Sequence, residues 1–412
     1  MPNSVVAILG AGQAGFQTAA SLRDSGFEGR VVLFGDEPVL PYQRPPLSKS
    51  YLAGQSGVED LWLRPAEFYA RQEIDLVSGD PVMAIDPGRR RFRLASGIEF
   101  SWDHLVLATG ARCRALSIPG AELDGVVTLR TLADADGLRG RLNEASEVVV
   151  VGAGFIGLEF ASVALACGAY VHVIEITHHP MGRVVSAPIS RFFTEAHRLW
   201  GAEVALGTGV TRILGNAGRV SGVETSDGRR ISADLVLICI GVVPNAELAR
   251  GAGLEFDNGI VVDEYLTTRD PSISAIGDCA SFPTPFAIAR VRLESVQNAV
   301  DQARNVADRL TGQPAPYQKV PWFWSDQGDL KLQIAGITTG HDRSVLRGNP
   351  GDRNFSVFCF RMGRLIGVES VNRTADHVVA RRLLVGDSEL APDQAADEAY
   401  DLRAHARRLP GR

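Results

Sequence analysis

Two glycine clusters carry the chemistry most directly readable in this chain: Gly10-Ala11-Gly12-Gln13-Ala14-Gly15 and Gly152-Ala153-Gly154-Phe155-Ile156-Gly157. Each follows an apolar run and precedes a helical stretch, the arrangement that binds the diphosphate of a dinucleotide. Gly10 permits the tight turn, Gly12 lets a pyrophosphate approach the backbone, and Gly15 allows helix and strand to pack closely. Gly152, Gly154 and Gly157 repeat the three roles. The helix that follows each cluster presents unpaired N–H groups and partial positive charge to the phosphates. An acid stands where a ribose would lie: Asp36 or Glu37 about 20 residues past the first glycines, and Glu175 past the second. A carboxylate there accepts from the 2′-hydroxyl and repels a 2′-phosphate, so Glu175 favours NADH. Thr177, His178 and His179 occupy the place where an NADP-binding chain would set arginines.

The elements that must position these groups are legible around them. Val5–Leu9 reads as a buried parallel strand, followed by a helix to about Ser25 and a second strand over 31–34. Val148–Val151, a helix from about Leu158 and a strand over Tyr170–Ile174 repeat the unit. A lone glycine turn is common in chains that bind nothing. Strand, glycines, helix, strand and acid in order, twice over, point to two nucleotides.

The 412 residues are 45% hydrophobic and 22% charged, with formal net charge −6. An acidic balance argues against a general nucleic-acid or acidic-membrane binder. The most apolar stretch, 148–174, is broken by Gly152, Gly154, Gly157 and Glu159, so it reads as strand–turn–helix–strand and not as a membrane span. Met1 to Ser4 runs directly into the first strand without a signal-peptide pattern, and a cytoplasmic protein is expected. Cys113, Cys167, Cys239, Cys279 and Cys359 show no CxxC and no metal-ligand spacing, so no metal site is expected. Three domains are expected: a first dinucleotide-binding domain, 1–113 with 241–318; a second, NAD-binding, 114–240; and a C-terminal domain, 319–412. In the last, Asn354–Phe360 and Arg364–Val371 alternate like antiparallel strands, a helix covers about 374–385, and the tail from Ser388 is helical or loose.

The FAD assignment rests on resemblance. Three further segments resemble the two-dinucleotide-binding flavoprotein reductases, over essentially the whole chain: Leu105–Gly110 as a strand and turn between domains, Thr268–Asp278 as a second FAD motif, and Ala233–Gly241 as the return crossing. The implied fold class is α/β, two Rossmann-like domains of glutathione-reductase type plus a smaller α+β C-terminal domain. Within that group, Arg44-Pro45-Pro46-Leu47-Ser48-Lys49, Glu294–Ala299 and Pro321–Gln327 resemble ferredoxin reductases of bacterial oxygenase systems.

That resemblance implies FAD and NADH as cofactors. It assigns FAD to Gly10, Gly12, Ala14, Gly15, Asp36, Arg44, Lys49 and Val82, then to Ala108, Thr109, Gly110 and Arg130. Gly277, Asp278, Glu294, Ser295, Val296 and Trp324 complete the set. NAD falls to Gly152, Gly154, Phe155, Ile156, Gly157, Glu159, Glu175, Arg183, Ile240 and Gly241. Lys49 and Glu159 are the implied catalytic pair beside the reacting rings, with Glu159 on the first turn of its helix. The helix from about Ser295 would set its positive end toward the flavin. Disulfide reductases of the group need a cysteine pair soon after the first βαβ unit. This chain has none before Cys113, so electrons must leave directly from the flavin.

The expected acceptor is a [2Fe–2S] ferredoxin serving a cytochrome P450 or ring-hydroxylating oxygenase, docked transiently by charge on a monomer or weak dimer. Arg64, Arg292, Arg304 and Lys331 are candidates for the docking face. A quinone or monodehydroascorbate acceptor is the alternative within the enzymes, and a redox-sensing interaction protein the alternative outside them.

Overall fold

The Val5–Leu9 run forms a strand buried along its last four residues. It pairs in parallel with Arg30–Gly35 on one side and His104–Leu107 on the other. Ile74–Ser78 and Ile273–Ala275 complete a five-stranded parallel sheet as its edges. The chain leaves the central strand in one direction, then returns across it to build the other side. Such a reversal opens a crevice at the carboxyl ends of the strands, and the first glycine cluster lies there. The computed structural model describes residues 4–386 and 388–409. Met1–Asn3, read above as the lead into this strand, lie outside them.

The second parallel sheet repeats the plan. Glu147–Val151 is central, flanked by Tyr170–Glu175 and Leu235–Ile238, with Glu203–Leu206 and Val126–Val127 at the edges. Each copy also carries a three-stranded antiparallel meander just before the strand that returns across the centre. In the first copy it comprises Val82–Asp86, Arg91–Leu94 and Glu99–Ser101. In the second it comprises Val210–Asn216, Arg219–Thr225 and Arg230–Ser232.

The C-terminal stretch folds as a five-stranded antiparallel sheet in the order Trp322–Gln327, Leu330–Gly336, Arg364–Val371, Asn354–Arg361, Arg343–Asn349. The helix that follows covers Thr374–Leu383. The tail contains two short helices, Pro392–Ala396 and Leu402–Arg407. It is tied down by Arg347, whose buried guanidinium donates to the carbonyls of Ala395, Asp397, Glu398 and Tyr400.

Contacts divide the chain into two units: residues 1–43, 58–112 and 243–321 in one, and 44–57, 113–242 and 322–412 in the other. The segment 44–57, placed with the first domain by the sequence reading, makes its contacts within the second unit. Among the described residues, no helix is long and apolar enough to cross a membrane.

Candidate nucleotide sites and a buried charge pair

In the first unit, Gly10 takes φ +111°, a conformation that L side chains rarely adopt, and a Cβ there would come within 2.1 Å of the Ala108 carbonyl. A Cβ on Gly15 would strike the Gly10 carbonyl at 1.9 Å, whereas one on Gly12 would meet nothing within 4 Å. The open position faces the start of the Gln13–Asp24 helix, which no side chain caps. Some other helices do carry side-chain caps: Thr131 forms a capping box with Asp134, and Ser295 accepts from Asn298 N–H. Donors left without a cap beside open space are what a diphosphate requires. Cofactor and loop therefore fit.

The second unit repeats this geometry. Gly152 has φ +104°, with the Cys239 carbonyl 2.4 Å from a would-be Cβ; Gly157 packs on the Gly152 carbonyl; Gly154 is open to 4.0 Å. The Phe155–Ala166 helix is likewise uncapped at Gly154. Phe155 is half-buried against the Phe323 ring at 4.5 Å, and Ile156 is exposed. Glu175 accepts from Ala153 N–H at 2.8 Å and from Thr177 N–H at 2.9 Å, so the acid is held at the glycine turn. The Arg183 guanidinium lies 3.4 Å from a Cβ placed on Gly241, which follows Ile240. Arg183 and the end of the return crossing therefore meet.

Around the first site, Thr109 and Asn245 exchange hydrogen bonds, Thr109 Oγ1 to Asn245 O at 2.6 Å and Asn245 Nδ2 to Thr109 O at 2.9 Å, and Asn245 N–H donates to Gly110. Gly277 approaches Ala14, with 3.1 Å from a Cβ position to the Ala14 methyl, and its N–H donates to Gln302. Asp278 follows in a 3₁₀ turn, its carbonyl accepting from Arg292. Asp36 is exposed beyond the second strand, whereas Glu37 is taken by the Tyr42 hydroxyl at 2.7 Å. Of the two acids, Asp36 is the one left facing outward. Val82 opens the first meander, and Val296 opens the helix that Ser295 caps. Arg44, Lys49, Arg130 and Trp324 belong to the second unit. There Arg44 donates to the Arg130 carbonyl at 2.7 Å, and Trp324 is half-buried on its strand.

Lys49 follows the Pro45–Ser48 3₁₀ turn, where two prolines fix the approach. Its Nζ lies 3.0 Å from Glu159 Oε1; the carboxylate side chain is 2% exposed and the lysine 19%. Two hydroxyls complete the carboxylate's shell: Ser48 donates to Oε2 at 2.6 Å and Ser325 to Oε1 at 2.7 Å. The Glu159 helix begins at Phe155, earlier than the expected Leu158, because Gly154 is extended and acts as its N-cap. Glu159 is thus its fifth residue, beyond the first turn. The lysine and hydroxyls hold its charge more directly than the helix end does. The sequence reading did not single out Ser48 or Ser325, although both sit inside segments quoted for the resemblance.

One docking candidate needs correction. The Arg292 side chain is 9% exposed and pairs with Glu294 at 2.8 Å, because it turns inward to the Asp278 carbonyl. Arg64, Arg304 and Lys331 are exposed. All five cysteines are free. Burial pushes the Cys113, Cys239, Cys279 and Cys359 thiols up, the state of inert rather than nucleophilic sulfur. Among the described residues, no group of three or more His, Cys, Asp or Glu could hold a metal ion.

A duplicated dinucleotide fold with a lysine–carboxylate pair beside the second fingerprint defines a flavin- and pyridine-nucleotide-dependent oxidoreductase. The chain belongs to the pyridine nucleotide-disulphide oxidoreductase family, whose pattern matches residues 4–303; the reductase C-terminal family matches residues 322–406. The family uses FAD and NAD(H). Rhodocoxin reductase of Rhodococcus erythropolis is 51% identical over 398 residues, covering 97% of this chain and 93% of that protein. The ferredoxin reductase for the CYP199A2 system from Rhodopseudomonas palustris superposes with TM-score 0.96 at 50% identity, covering 98% of this chain and 100% of that one. The reductase in the covalent putidaredoxin reductase–putidaredoxin complex gives TM-score 0.96 at 39% identity, covering 99% and 100%.

Proposed function

We propose that this chain passes electrons from NADH through FAD to a [2Fe–2S] ferredoxin that serves a cytochrome P450 or ring-hydroxylating oxygenase in the cytoplasm. The observation that carries the reading is the near-full-length likeness to reductases of such systems. A bound FAD would supply the chemistry that couples a two-electron donor, NADH, to a one-electron carrier.

The chain's own residues supply orientation and charge. Gly10, Gly12, Ala14 and Gly15, with Asp36, Ala108 to Gly110, Gly277 and Asp278, are assigned to FAD; Arg44, Val82, Arg130, Glu294 to Val296 and Trp324 are further candidates. Gly152 to Gly157, Glu175, Arg183, Ile240 and Gly241 are assigned to the nicotinamide nucleotide. Lys49 pairs with Glu159 in a partly dry setting, and Ser48 and Ser325 donate hydrogen bonds to the same carboxylate. The pair gives a fixed polar wall against which the nicotinamide is oriented. No thiol takes part.

The test is NADH-dependent cytochrome c reduction by the purified flavoprotein, with and without a bacterial [2Fe–2S] ferredoxin. Strong dependence on the ferredoxin supports the reading. Rapid flavin reduction by NADH, with no ferredoxin effect and rapid quinone turnover, would overturn the acceptor while leaving the flavin–NADH core.

A further inference from the structure

Glu369 lies on the Arg364–Val371 strand with 0% of its surface exposed. Among the described residues no cation pairs with it. An isolated buried carboxylate is costly, and an apolar side chain of similar size would ordinarily serve a sheet better. Its partners explain its presence. Ser186 donates its N–H to Oε1 at 2.8 Å and its hydroxyl to Oε2, and the Thr338 hydroxyl lies 3.0 Å from Oε1. Burial pushes the Glu369 carboxyl up, and the Ser186 and Thr338 donors, with the nearby His341, pull it back.

Ser186 is the N-cap of the Ala187–Leu199 helix, yet its side chain caps nothing on that helix. An N-cap N–H is commonly satisfied by a Glu or Gln three residues on. Here that residue is the fully buried Ile189, so the acceptor comes from a strand far along the chain. Ser186 ends the loop 176–186 that carries Arg183. The same C-terminal sheet and its turn grip this loop at three more points. Thr338 Oγ1 reaches Val184 O at 2.9 Å, Thr339 Oγ1 donates to Arg183 O at 3.2 Å, and Gln327 Nε2 meets Met181 Sδ at 3.5 Å. From the other side, Met181, at φ +53°, donates its N–H to Ala153 O in the second glycine cluster. A non-glycine residue in that conformation persists only when its surroundings over-determine it. The loop is therefore clamped between the fingerprint and the sheet, with the Arg183 guanidinium beside Gly241.

We propose that Glu369 is a positioning residue for the pyridine nucleotide: by fixing Ser186 it holds the loop so that Arg183 stays at the second crevice. This rests on the reading that the crevice takes NADH. Glu369 touches no reacting atom, so it acts on nucleotide affinity and leaves the hydride step alone.

The test uses the FAD-loaded protein, titrated with NAD⁺ by calorimetry and with NADH by rapid flavin reduction. Glu369→Gln keeps the size but loses one acceptor. It is expected to weaken NAD⁺ binding about tenfold and to raise the NADH concentration for half-maximal flavin reduction by the same factor, with the limiting rate within about twofold. Ser186→Ala, which removes one of the three donors, is expected to shift both about threefold in the same direction. Unchanged NAD⁺ affinity in Glu369→Gln, with only a lower melting temperature, would overturn the proposal. If Glu369→Gln does not fold, unchanged affinity in Ser186→Ala would overturn it. A wild-type flavin that NADH fails to reduce would overturn the reading of the crevice, and this assignment with it.

Discussion

Glu159 meets Lys49 at 3.0 Å with its carboxylate almost wholly out of water. Losing the lysine would leave that charge with two serine hydroxyls alone. Breaking a fully buried pair costs about 3–5 kcal/mol. Because the ammonium is partly exposed, Lys49→Met should cost about 1–3 kcal/mol. It should also slow flavin reduction by NADH about tenfold or more, through lost orientation. Thermal unfolding and stopped-flow reduction read the two effects. Adding Glu159→Leu should restore only part of the stability, since it strands the buried Ser48 and Ser325 hydroxyls, and none of the rate; a double variant as fast as wild type would remove the pair from the mechanism.

The glycine clusters predict separable losses. A methyl on Gly15 collides with the Gly10 carbonyl, and one on Gly157 with the Gly152 carbonyl. Gly15→Ala should be purified largely without flavin, seen as lost visible absorbance. Gly157→Ala should retain flavin and lose affinity for NADH. Equal flavin content in the two variants would contradict the assignment of the two sites.

Glu175 is fixed at the second turn by Ala153 and Thr177. Glu175→Ala removes the repulsion toward a 2′-phosphate, and kcat/KM for NADPH relative to NADH should rise about tenfold. An unchanged ratio would place nucleotide selection elsewhere.

Acid should weaken the fold. Burial, aided by Arg309, depresses His104 to about 3; burial, aided by Arg381 and Lys331, depresses His377 to about 4; burial also lowers His197. An unfolded histidine protonates near pH 6.5, so stability is whole above that value and falls as pH drops toward the folded values. Each such histidine costs about 1.4 kcal/mol per pH unit in its window. Among the described residues, neither ring nitrogen of His377 has a hydrogen-bond partner. His377→Phe should therefore be near neutral at pH 7.5 and flatten the decline between about pH 6 and 4. Chemical denaturation across that range would show an unchanged slope if the account is wrong.

Arg347 holds the tail through backbone carbonyls, beside the Arg343–Asp393 and Arg373–Glu398 ion pairs. Arg347→Met should release residues beyond about 392 to protease while leaving the flavin content unchanged. Cleavage as slow as wild type would show that the tail's own apolar contacts, such as buried Leu402 and Ala406, suffice.

What the sequence disclosed follows from the range of the forces involved. A glycine cluster announces itself because its geometry is local: three missing side chains next to one strand and one helix. The Glu159 shell was not legible, since Ser48 and Ser325 lie 111 and 166 positions away. Tyr42, which engages Glu37, is a neighbour with no distinguishing pattern in the sequence. Two strands of the C-terminal sheet were read from alternation. Leu330–Gly336 alternates too, through Leu330, Lys331, Leu332, Gln333 and Ile334, and it is a strand the sequence reading does not name. Nothing near Arg292 in the chain shows that the Asp278 carbonyl draws it inward.

The uncapped helices at the two glycine clusters bind this protein's durability to metabolite supply. Their first N–H groups find no side-chain partner, so the ligands themselves complete the fold, and each adds stability as RT ln(1 + [L]/Kd). At a hundredfold excess over Kd that is about 2.7 kcal/mol per site, a large share of what holds a typical domain together. A cell short of flavin would then hold less of the reductase as well as a less active one, because the empty chain samples open, protease-sensitive forms more often.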